Sequence, residues 1–314
     1  MIIPAPLVRD YHRLAVDAIA RALAEPEKLD AASAHNTVLT ALKLNRIDLV
    51  LPSRDALVAA LRKDQDPNTG AFAHAEYHVP LVPFLERGVV LHALGATFAH
   101  PPRPLERILE SGKSLDSWLK AIDWAWPWGG PTGAGHNMIS MTYTADDLGL
   151  ISQSQLETVR ATLEAHRDET YGVWSRGRFT RPELKQIGGA FAMGIVYARF
   201  RWPLSNPAGV VRLLEEMQLP GGSWTTEWPS RSTDMDAVWL IDRYTRRDAA
   251  LRPRALALLE RAARYHVAKL LDPVEGPKQA LGSSLNLLAV LRGVFPDPDD
   301  DTPPWRFVMY GVVL

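Results

Sequence analysis

The chain has 314 residues, a net charge of −1 and no cysteine. The lack of cysteine excludes a disulfide framework, a thiolate zinc site and a cysteine nucleophile, and the balanced charge without a basic block argues against nucleic-acid partners. A hydrophobic fraction of 46% with 23% charged residues is typical of a globular protein with a sizeable core. Because no signal-peptide pattern opens the sequence and no apolar run reaches membrane-spanning length, we expect a cytoplasmic protein without stable membrane insertion.

Apolar residues recur at helical spacing along almost the whole chain. In the first such segment Leu7, Tyr11 and Leu14 share one face, and the second segment follows a predicted N-cap at Asp30. The same reasoning predicts helices over residues 7–23, 31–44, 53–63, 79–98, 104–122, 136–148, 154–166, 182–200, 206–217, 233–246, 248–271 and 278–293. No stretch alternates between apolar and polar residues for long enough to predict a strand, so the expected fold class is all-α without a sheet.

Three turns share the pattern glycine, any residue, aromatic residue. Their glycines are Gly70, Gly172 and Gly222; the last two are 50 residues apart, and Gly70 precedes Gly172 by 102 residues, about two such periods. A further copy is expected near residue 121, and a degenerate copy lies at 272–276. Six such periods account for the chain, and each would be one helix pair. A single pair cannot bury its apolar face alone and must pack it against the adjacent pairs. We therefore predict a single domain over residues 1–314, an (α/α)6-barrel-like α/α toroid of about six helix pairs.

The segment from Gln218 to Trp224 resembles the Gln-x-x-x-Gly-x-Trp repeat of the terpenoid cyclase and protein prenyltransferase superfamily. The segment from Gln65 to Phe72 is a weaker copy. The resemblance implies an α/α toroid in which the glutamine and the aromatic residue connect one repeat to the next at the outer turns. The zinc site of the prenyltransferases is not implied, because it requires a cysteine ligand that this chain lacks.

A second resemblance lies ten residues after Trp224. Asp234-Met-Asp236 is similar to the Asp-x-Asp-Asp motif of class II terpene cyclases, with Ala237 in the last position. The resemblance implies that Asp236 is the acid that protonates an alkene or epoxide, and that Asp234 adjusts its proton. Such an acid must stay neutral, and burial beside a second carboxyl raises the pKa of a carboxyl group. Asp234 also fits a purely structural role at a helix amino terminus.

The segment from residue 123 to residue 137 is rich in glycine and tryptophan. Trp124, Trp126 and Trp128 offer aromatic faces that stabilise a carbocation or stack on a sugar ring, and we expect at least one of them to face the central cavity beside His136. The alternative is a structural loop on the rim. His136 is a candidate acid or base, or a helix cap, and Asn137 follows it.

Other polar residues extend this set of candidates. Tyr143 shares a helix face with His136, whereas Asp146 and Asp147 are expected near a helix end or in solvent. After Trp174, two arginines suit a carboxylate, sulfate or phosphate, or are surface charges; they are Arg176 and Arg178. Alternating histidine and acidic residues at His74, Glu76 and His78 could bind a metal, but we predict neither a metal nor a cofactor.

Three functions remain open. The first, which we favour, is a terpene-cyclase-like enzyme that starts the cyclisation or isomerisation of an isoprenoid-type small molecule with a proton from Asp236. The second is a carbohydrate-active toroid, a lyase, epimerase or glycoside hydrolase, that acts on an oligosaccharide through His136 and Tyr143. The third is a binding toroid without catalysis. The predicted catalytic residues are Asp236, Asp234, His136 and Tyr143. The predicted substrate-binding residues are Trp124, Trp126, Trp128, Asn137, Trp174, Arg176, Arg178, Trp224 and Trp239.

Overall fold

The computed structural model describes residues 1–72, 79–128, 132–174, 184–204, 206–228, 232–276, 280–309 and 312–313. Within these ranges the chain forms helices α1 Ala5–Ala22, α2 Ala31–Lys43, α3 Arg54–Arg62, α4 Val82–Ala93, α5 Arg103–Leu109, α6 Gly112–Ala121, α7 Ala134–Asp147, α8 Gln153–Ala165, α9 Leu184–Arg199, α10 Pro207–Met217, α11 Thr233–Thr245, α12 Arg252–Leu271 and α13 Leu281–Val294. Short 3-10 helices span Pro26–Lys28, Ile47–Leu49 and Leu51–Ser53. The prediction of an all-α protein is confirmed.

Two details differ from the sequence prediction. The helix predicted over 104–122 is two helices, α5 and α6, because the Ser111 hydroxyl accepts the N–H of Ser114 and so begins a new helix. Near the carboxyl terminus, β1 Val308–Met309 and β2 Val312–Val313 form an antiparallel pair that the sequence did not predict. Strands of two residues are too short to show an alternating pattern.

The helices contact one another in a closed series. The inner helices α2, α4, α7, α9, α11 and α13 each contact the next in that order, and α13 contacts α2. Of the remaining helices, α1 and α3 contact α2, α10 and α12 contact α11, and α6 contacts both α5 and α8. At the closure, the N–H of Ile3 donates to the carbonyl oxygen of Phe295 at 2.9 Å. This closed series of inner helices is consistent with an all-α toroid.

Burial distinguishes the two layers. Helix α7 buries its first twelve residues, whereas the neighbouring outer helix α8 buries only Val159 and Leu163. A helix that is buried on all sides belongs to an interior, and one with a single apolar face belongs to a surface. No helix in the described ranges has the combination of length and apolar character that crossing a bilayer requires.

Helices α7 and α9 run parallel. At their starts, Gly135 and Gly189 both approach the carbonyl oxygen of Pro127 so closely that a Cβ at either position would lie within 2.7 Å of it. At their ends, Arg199 of α9 donates to Asp146 of α7 at 2.6 Å. The loops that precede these inner helices therefore lie at one end of the ring.

The repeated turns are similar but not identical: Gly70, Gly172 and Gly222 have positive φ values whereas Gly276 does not, and the N–H of Gly222 donates to Leu219, three residues earlier. Gly70 and Gly172 have φ values of +66° and +73°, and Gly222 has +105°. The N–H of Gly70 donates to Asp66 and that of Gly172 to Asp168, both at the backbone carbonyl. In the degenerate copy, the N–H of Gly276 donates in the same way to the carbonyl of Asp272, four residues earlier. The sequence repeat at 272–276 is thus a structural repeat.

Trp124 occupies the aromatic position of the copy expected near residue 121. It precedes Trp174 by 50 residues, and Trp174 precedes Trp224 by the same number. Each indole N–H donates to a backbone carbonyl of the preceding outer helix: that of Leu119 at 3.0 Å, Leu163 at 2.9 Å and Leu214 at 2.7 Å, respectively. The period of 50 residues therefore corresponds to one repeated contact between turn and outer helix.

Glutamine connects successive repeats at two of these turns. The side-chain amide of Gln65 donates to the carbonyls of Gly70 and His100, and that of Gln218 donates to Gly222 and Leu258. Each glutamine therefore bonds its own turn and the backbone of the following repeat. Buried backbone carbonyls need such partners, so the glutamines are structural.

Replacing Gly70 by alanine should destabilise the protein by about 3 kcal/mol or more. A Cβ at Gly70 would lie 1.8 Å from the carbonyl oxygen of Pro101, and the positive φ adds strain. Gly149→Ala is the matched control, because Gly149 has a φ of +65° but no atom within 4 Å of the added Cβ; it should cost about 1 kcal/mol. Urea unfolding measures both. Equal losses would mean that the contact with Pro101 is unimportant.

Candidate active site

Asp234 joins the start of α11 to the preceding turn. Its Oδ1 accepts the backbone N–H of Trp224 at 2.6 Å, and its Oδ2 accepts the hydroxyl of Ser223 at 2.7 Å. The Nε2 of His266, on outer helix α12, lies 3.1 Å from Oδ2. Burial acts to raise the pKa of Asp234, but the contacts with His266, Trp224 and Ser223 together lower it below the usual value. Asp234 is therefore an ionised structural carboxylate.

Asp236, two residues further on, has a different environment. Its side chain is 1% exposed, and its Oδ1 has no hydrogen-bond partner. Its carboxyl forms no ion pair within the described part of the chain. Burial, and secondly the negative charge of Asp234, raise the pKa of Asp236 well above its usual value. Arg231, which could have paired with Asp236, lies outside the described residues.

The two carboxyls of α11 therefore have pKa values displaced in opposite directions. Two hydrogen-bond donors and the nearby His266 lower the pKa of Asp234, whereas burial raises the pKa of Asp236 and so favours its protonated form. Neighbouring titratable groups with such opposed environments are typical of acid–base sites.

Aromatic side chains lie one helical turn beyond Asp236. Trp239 packs edge-to-face on Phe191 with ring centroids 5.1 Å apart, and its ring centroid lies 6.1 Å from that of Phe307. Gly194 of α9 leaves the space for Trp239, because a Cβ there would lie 3.0 Å from the indole. The site next to Asp236 is therefore apolar and aromatic.

Phe307 belongs to the segment that follows α13, and its ring lies against Phe191 and Trp239. The side chain of Asn286 on α13 accepts the N–H of Val308 at 3.0 Å and donates to its carbonyl at 2.8 Å. The N–H of Arg306 donates to the carbonyl of Lys43 at the end of α2. These bonds to two inner helices hold Phe307 against the aromatic residues of α9 and α11.

The tryptophan-rich loop separates into residues with different roles. Trp124 is one of the structural tryptophans of the repeat and also stacks on His166, with ring centroids 4.7 Å apart. Trp126 is partly exposed, and the Nζ of Lys185 lies 3.9 Å from its ring centroid. The ring centroid of Trp128 lies 4.4 Å from that of His136. That a loop tryptophan faces the central cavity at this point stays a prediction.

His136 and Asn137 are buried in the first turn of α7. Burial lowers the pKa of His136 to about 4, so the ring is neutral at pH 7. The amide of Asn137 donates to the carbonyl of Gly133 at 2.9 Å. On the other side of the loop, Trp128 fills the space that a side chain at Gly188 would need. The loop thus packs across the starts of α7 and α9.

Tyr143 lies at the opposite end of α7 from His136. Seven residues of helix separate the two, which is about 10 Å along the axis. The guanidinium of Arg199 stacks over the Tyr143 ring at 4.5 Å and also binds Asp146 and Asp147. These two aspartates are the last residues of α7, at a helix end as expected, and a partly buried arginine of the neighbouring inner helix pairs with both.

The tryptophans Trp174 and Trp224, predicted to bind substrate, are buried with their indole N–H groups bonded to outer helices, as is Trp124. We leave these three out of the proposed site. Of the remaining predictions, Arg176 and Arg178 lie outside the described residues, as does the cluster at 74–78. Among the residues that the structure does describe, no group of three or more potential ligands could hold a metal ion.

The structure adds residues that the sequence did not indicate: Ser223 and His266 around Asp234, and Phe307 beside Trp239. Ser223 could have been identified as the middle residue of the Gly-x-Trp turn, whereas His266 and Phe307 lie in no motif. Comparisons with protein-family models, curated proteins and solved structures found no match for this chain.

Proposed function

We propose that the protein is an acid catalyst for an isoprenoid-type substrate, with Asp236 as the proton donor. The observation that supports this most directly is the buried carboxyl of Asp236, whose Oδ1 has no hydrogen-bond partner and which lies two residues from Asp234, a carboxylate that accepts two hydrogen bonds. A structural aspartate would be expected to have donors, as Asp234 has. An unpartnered buried acid is instead suited to giving its proton to a weak base such as an alkene.

The reaction begins with transfer of the Asp236 proton to the less substituted carbon of a trisubstituted alkene. The π electrons form the new C–H bond, Asp236 becomes a carboxylate, and the other alkene carbon becomes a tertiary cation. The faces of Trp239 and Phe191 are suited to stabilising that cation. A second alkene of the same substrate attacks the cation and closes a ring. A proton then leaves the adjacent carbon for solvent water, and the electrons of that C–H bond form the alkene of the product. Asp236 then regains a proton from solvent.

Access to Asp236 requires a change in the aromatic cluster of Phe191, Trp239 and Phe307. Two of these residues are on inner helices, whereas Phe307 is on the carboxyl-terminal segment and is held there by backbone bonds of its neighbours. A segment attached by a few hydrogen bonds opens at lower cost than a packed helix. In this proposal the substrate enters on the side of Phe307.

Incubation in D₂O tests the proposal. Candidate isoprenoids with a terminal trisubstituted alkene, such as geranylgeraniol and geranylgeranyl diphosphate, are added to the protein, and products are analysed by mass spectrometry. The expected product has the mass of a cyclic isomer with one deuterium, because the exchanged Asp236 proton is added to carbon. Asp236→Asn should lower turnover by about a thousandfold.

The matched control is Asp147→Asn. Burial also raises the pKa of Asp147, but that carboxyl is paired with Arg199. This variant should retain the wild-type rate, provided that circular dichroism shows it folded. Deuterated product from Asp236→Asn at the wild-type rate would contradict the assignment of Asp236, and the absence of any isomerised product across the panel would contradict the proposed function.

A further inference from the structure

A cavity of about 1000 Å³ lies between α2, α4 and the start of α13. Its apolar lining includes Leu39, Pro83 and Leu281, and its polar lining includes Lys43 and His35. Asp236 is not among the residues that line it, so this cavity is separate from the candidate active site. Polar or charged residues, among them Glu86, make up ten of its eighteen lining residues. A cavity of this size is large enough for a small-molecule ligand.

Lys43 is a buried cation without a counter-ion. Its side chain is only 5% exposed, and its ammonium donates to the carbonyl of Gly282 at 3.0 Å. No carboxylate of the described residues lies within ion-pair distance of it. An ammonium has three N–H donors, so two of them are available to a ligand. A lone buried charge is costly unless a partner neutralises it.

The other buried cation of the cavity already has its partner. The guanidinium of Arg87 forms a two-pronged ion pair with the carboxylate of Asp64, one contact being 2.8 Å. Asp30, at the rim, accepts the N–H of Ser33 and caps α2. The requirement for a negative charge is therefore specific to Lys43.

Two further features of the cavity suit an anionic ligand. The amino terminus of α13 lines it, and Ala280 at the N-cap has no side-chain oxygen to accept the first N–H groups of the helix. Those groups and the helix dipole favour a negative charge. His35 also lines the cavity, and its Nδ1 is buried without a hydrogen-bond partner.

We infer that this cavity binds a small organic carboxylate with an apolar body. The carboxylate lies on the ammonium of Lys43, and the body packs on Leu39, Pro83 and Leu281. The inference does not depend on the function proposed for Asp236, because the two sites share no residue.

Octanoate is the probe, and 1-octanol is its neutral counterpart of the same chain length. Isothermal titration calorimetry of the wild type should show octanoate binding more tightly than octanol. Lys43→Met removes the charge with little change in length and should weaken octanoate binding by about tenfold or more, while octanol binding is unchanged. Lys63→Met is the matched control, since Lys63 lines the same cavity but is exposed; its octanoate affinity should stay within about twofold of the wild type.

Lys43→Gln is the second variant, for use if Lys43→Met fails to fold. Its side-chain amide is uncharged but can still donate to the carbonyl of Gly282. It should show the same loss of octanoate binding. Octanoate and octanol binding equally well to the wild type would overturn the inference. So would undiminished octanoate binding in a folded Lys43 variant, or equal losses in the Lys43 and Lys63 variants.

Discussion

The Asp236→Asn variant is expected to be more stable than the wild type at pH 7, by a margin that grows with pH. The raised pKa of Asp236 in the folded state means that the folded chain keeps this proton when the unfolded chain has already lost it. Below the usual carboxyl pKa, near 4, both states are protonated and the difference is small. Above it, the wild type loses about 1.4 kcal/mol of stability per pH unit until the folded-state pKa is reached.

Urea unfolding of wild type and variant between pH 4 and pH 8 measures this difference. Other titrating groups cancel in the comparison, because they are common to both proteins. Asp17→Asn is the control, since Asp17 is exposed, and it should show no pH-dependent difference. A difference that is constant across this range would mean that Asp236 is ionised in the folded protein. The proposed acid role would then lose its physical basis.

The helices were predictable because the buried face of a helix requires apolar residues at helical spacing, and this spacing can be read directly from the sequence. Helix α2 was predicted over 31–44 and spans Ala31–Lys43, and the helix predicted over 136–148 spans Ala134–Asp147. The repeated turn was predictable for a similar reason, since only glycine tolerates both the positive φ and the close neighbour at Gly70 and Gly222. Both requirements fix the type of single residues at regular intervals, so they can be recognised in the amino-acid sequence alone.

The roles of the tryptophans were less accessible from the sequence. Trp124, Trp126 and Trp128 form one group by composition, yet Trp124 belongs with Trp174 and Trp224, which bond the outer helices. The distinguishing signal was the spacing of 50 residues. The clustering of the tryptophans suggested a ligand site, whereas the regular spacing of Trp124, Trp174 and Trp224 indicates a repeated structural contact.

Contacts between distant elements were not predictable. Helical spacing placed Tyr143 and His136 on one face, but it does not give the neighbour across that face, which for Tyr143 is Arg199 of the next inner helix. In the same way, the burial of Lys43 depends on α13, which lies more than 230 residues later in the chain. A single sequence carries no record of such pairings.

Asp234 should be among the residues whose replacement costs most stability. The Asp234→Asn variant is expected to lose about 3 kcal/mol or more of its free energy of unfolding at pH 7. The substitution removes a buried ionised acceptor and leaves several donors without it. The carboxylate accepts from Trp224 at one oxygen and from Ser223 at the other, beside His266. An asparagine has a single acceptor oxygen, so its NH₂ group must face at least one of these donors. Ser223→Ala, which removes one donor, should cost only about 1 kcal/mol.

The pH dependence of this loss should be opposite in sign to that of Asp236→Asn. The lowered pKa of Asp234 contributes stability above the usual carboxyl pKa, and the contribution is lost as the pH falls through the lower, folded-state value. The deficit of Asp234→Asn should therefore shrink below about pH 4. A deficit that is absent at pH 7, or that increases on acidification, would contradict the structural role of Asp234.

The two aspartates should also be coupled. The charge of Asp234 is the second cause of the raised pKa of Asp236, so its removal should lower that pKa. In an Asp234→Asn background, the stabilisation by Asp236→Asn should therefore stop increasing at a lower pH than in the wild type. Burial remains in that background as the larger cause, so part of the effect should persist. An unchanged pH profile would mean that the two carboxyls do not interact, and that burial alone sets the proton affinity of Asp236.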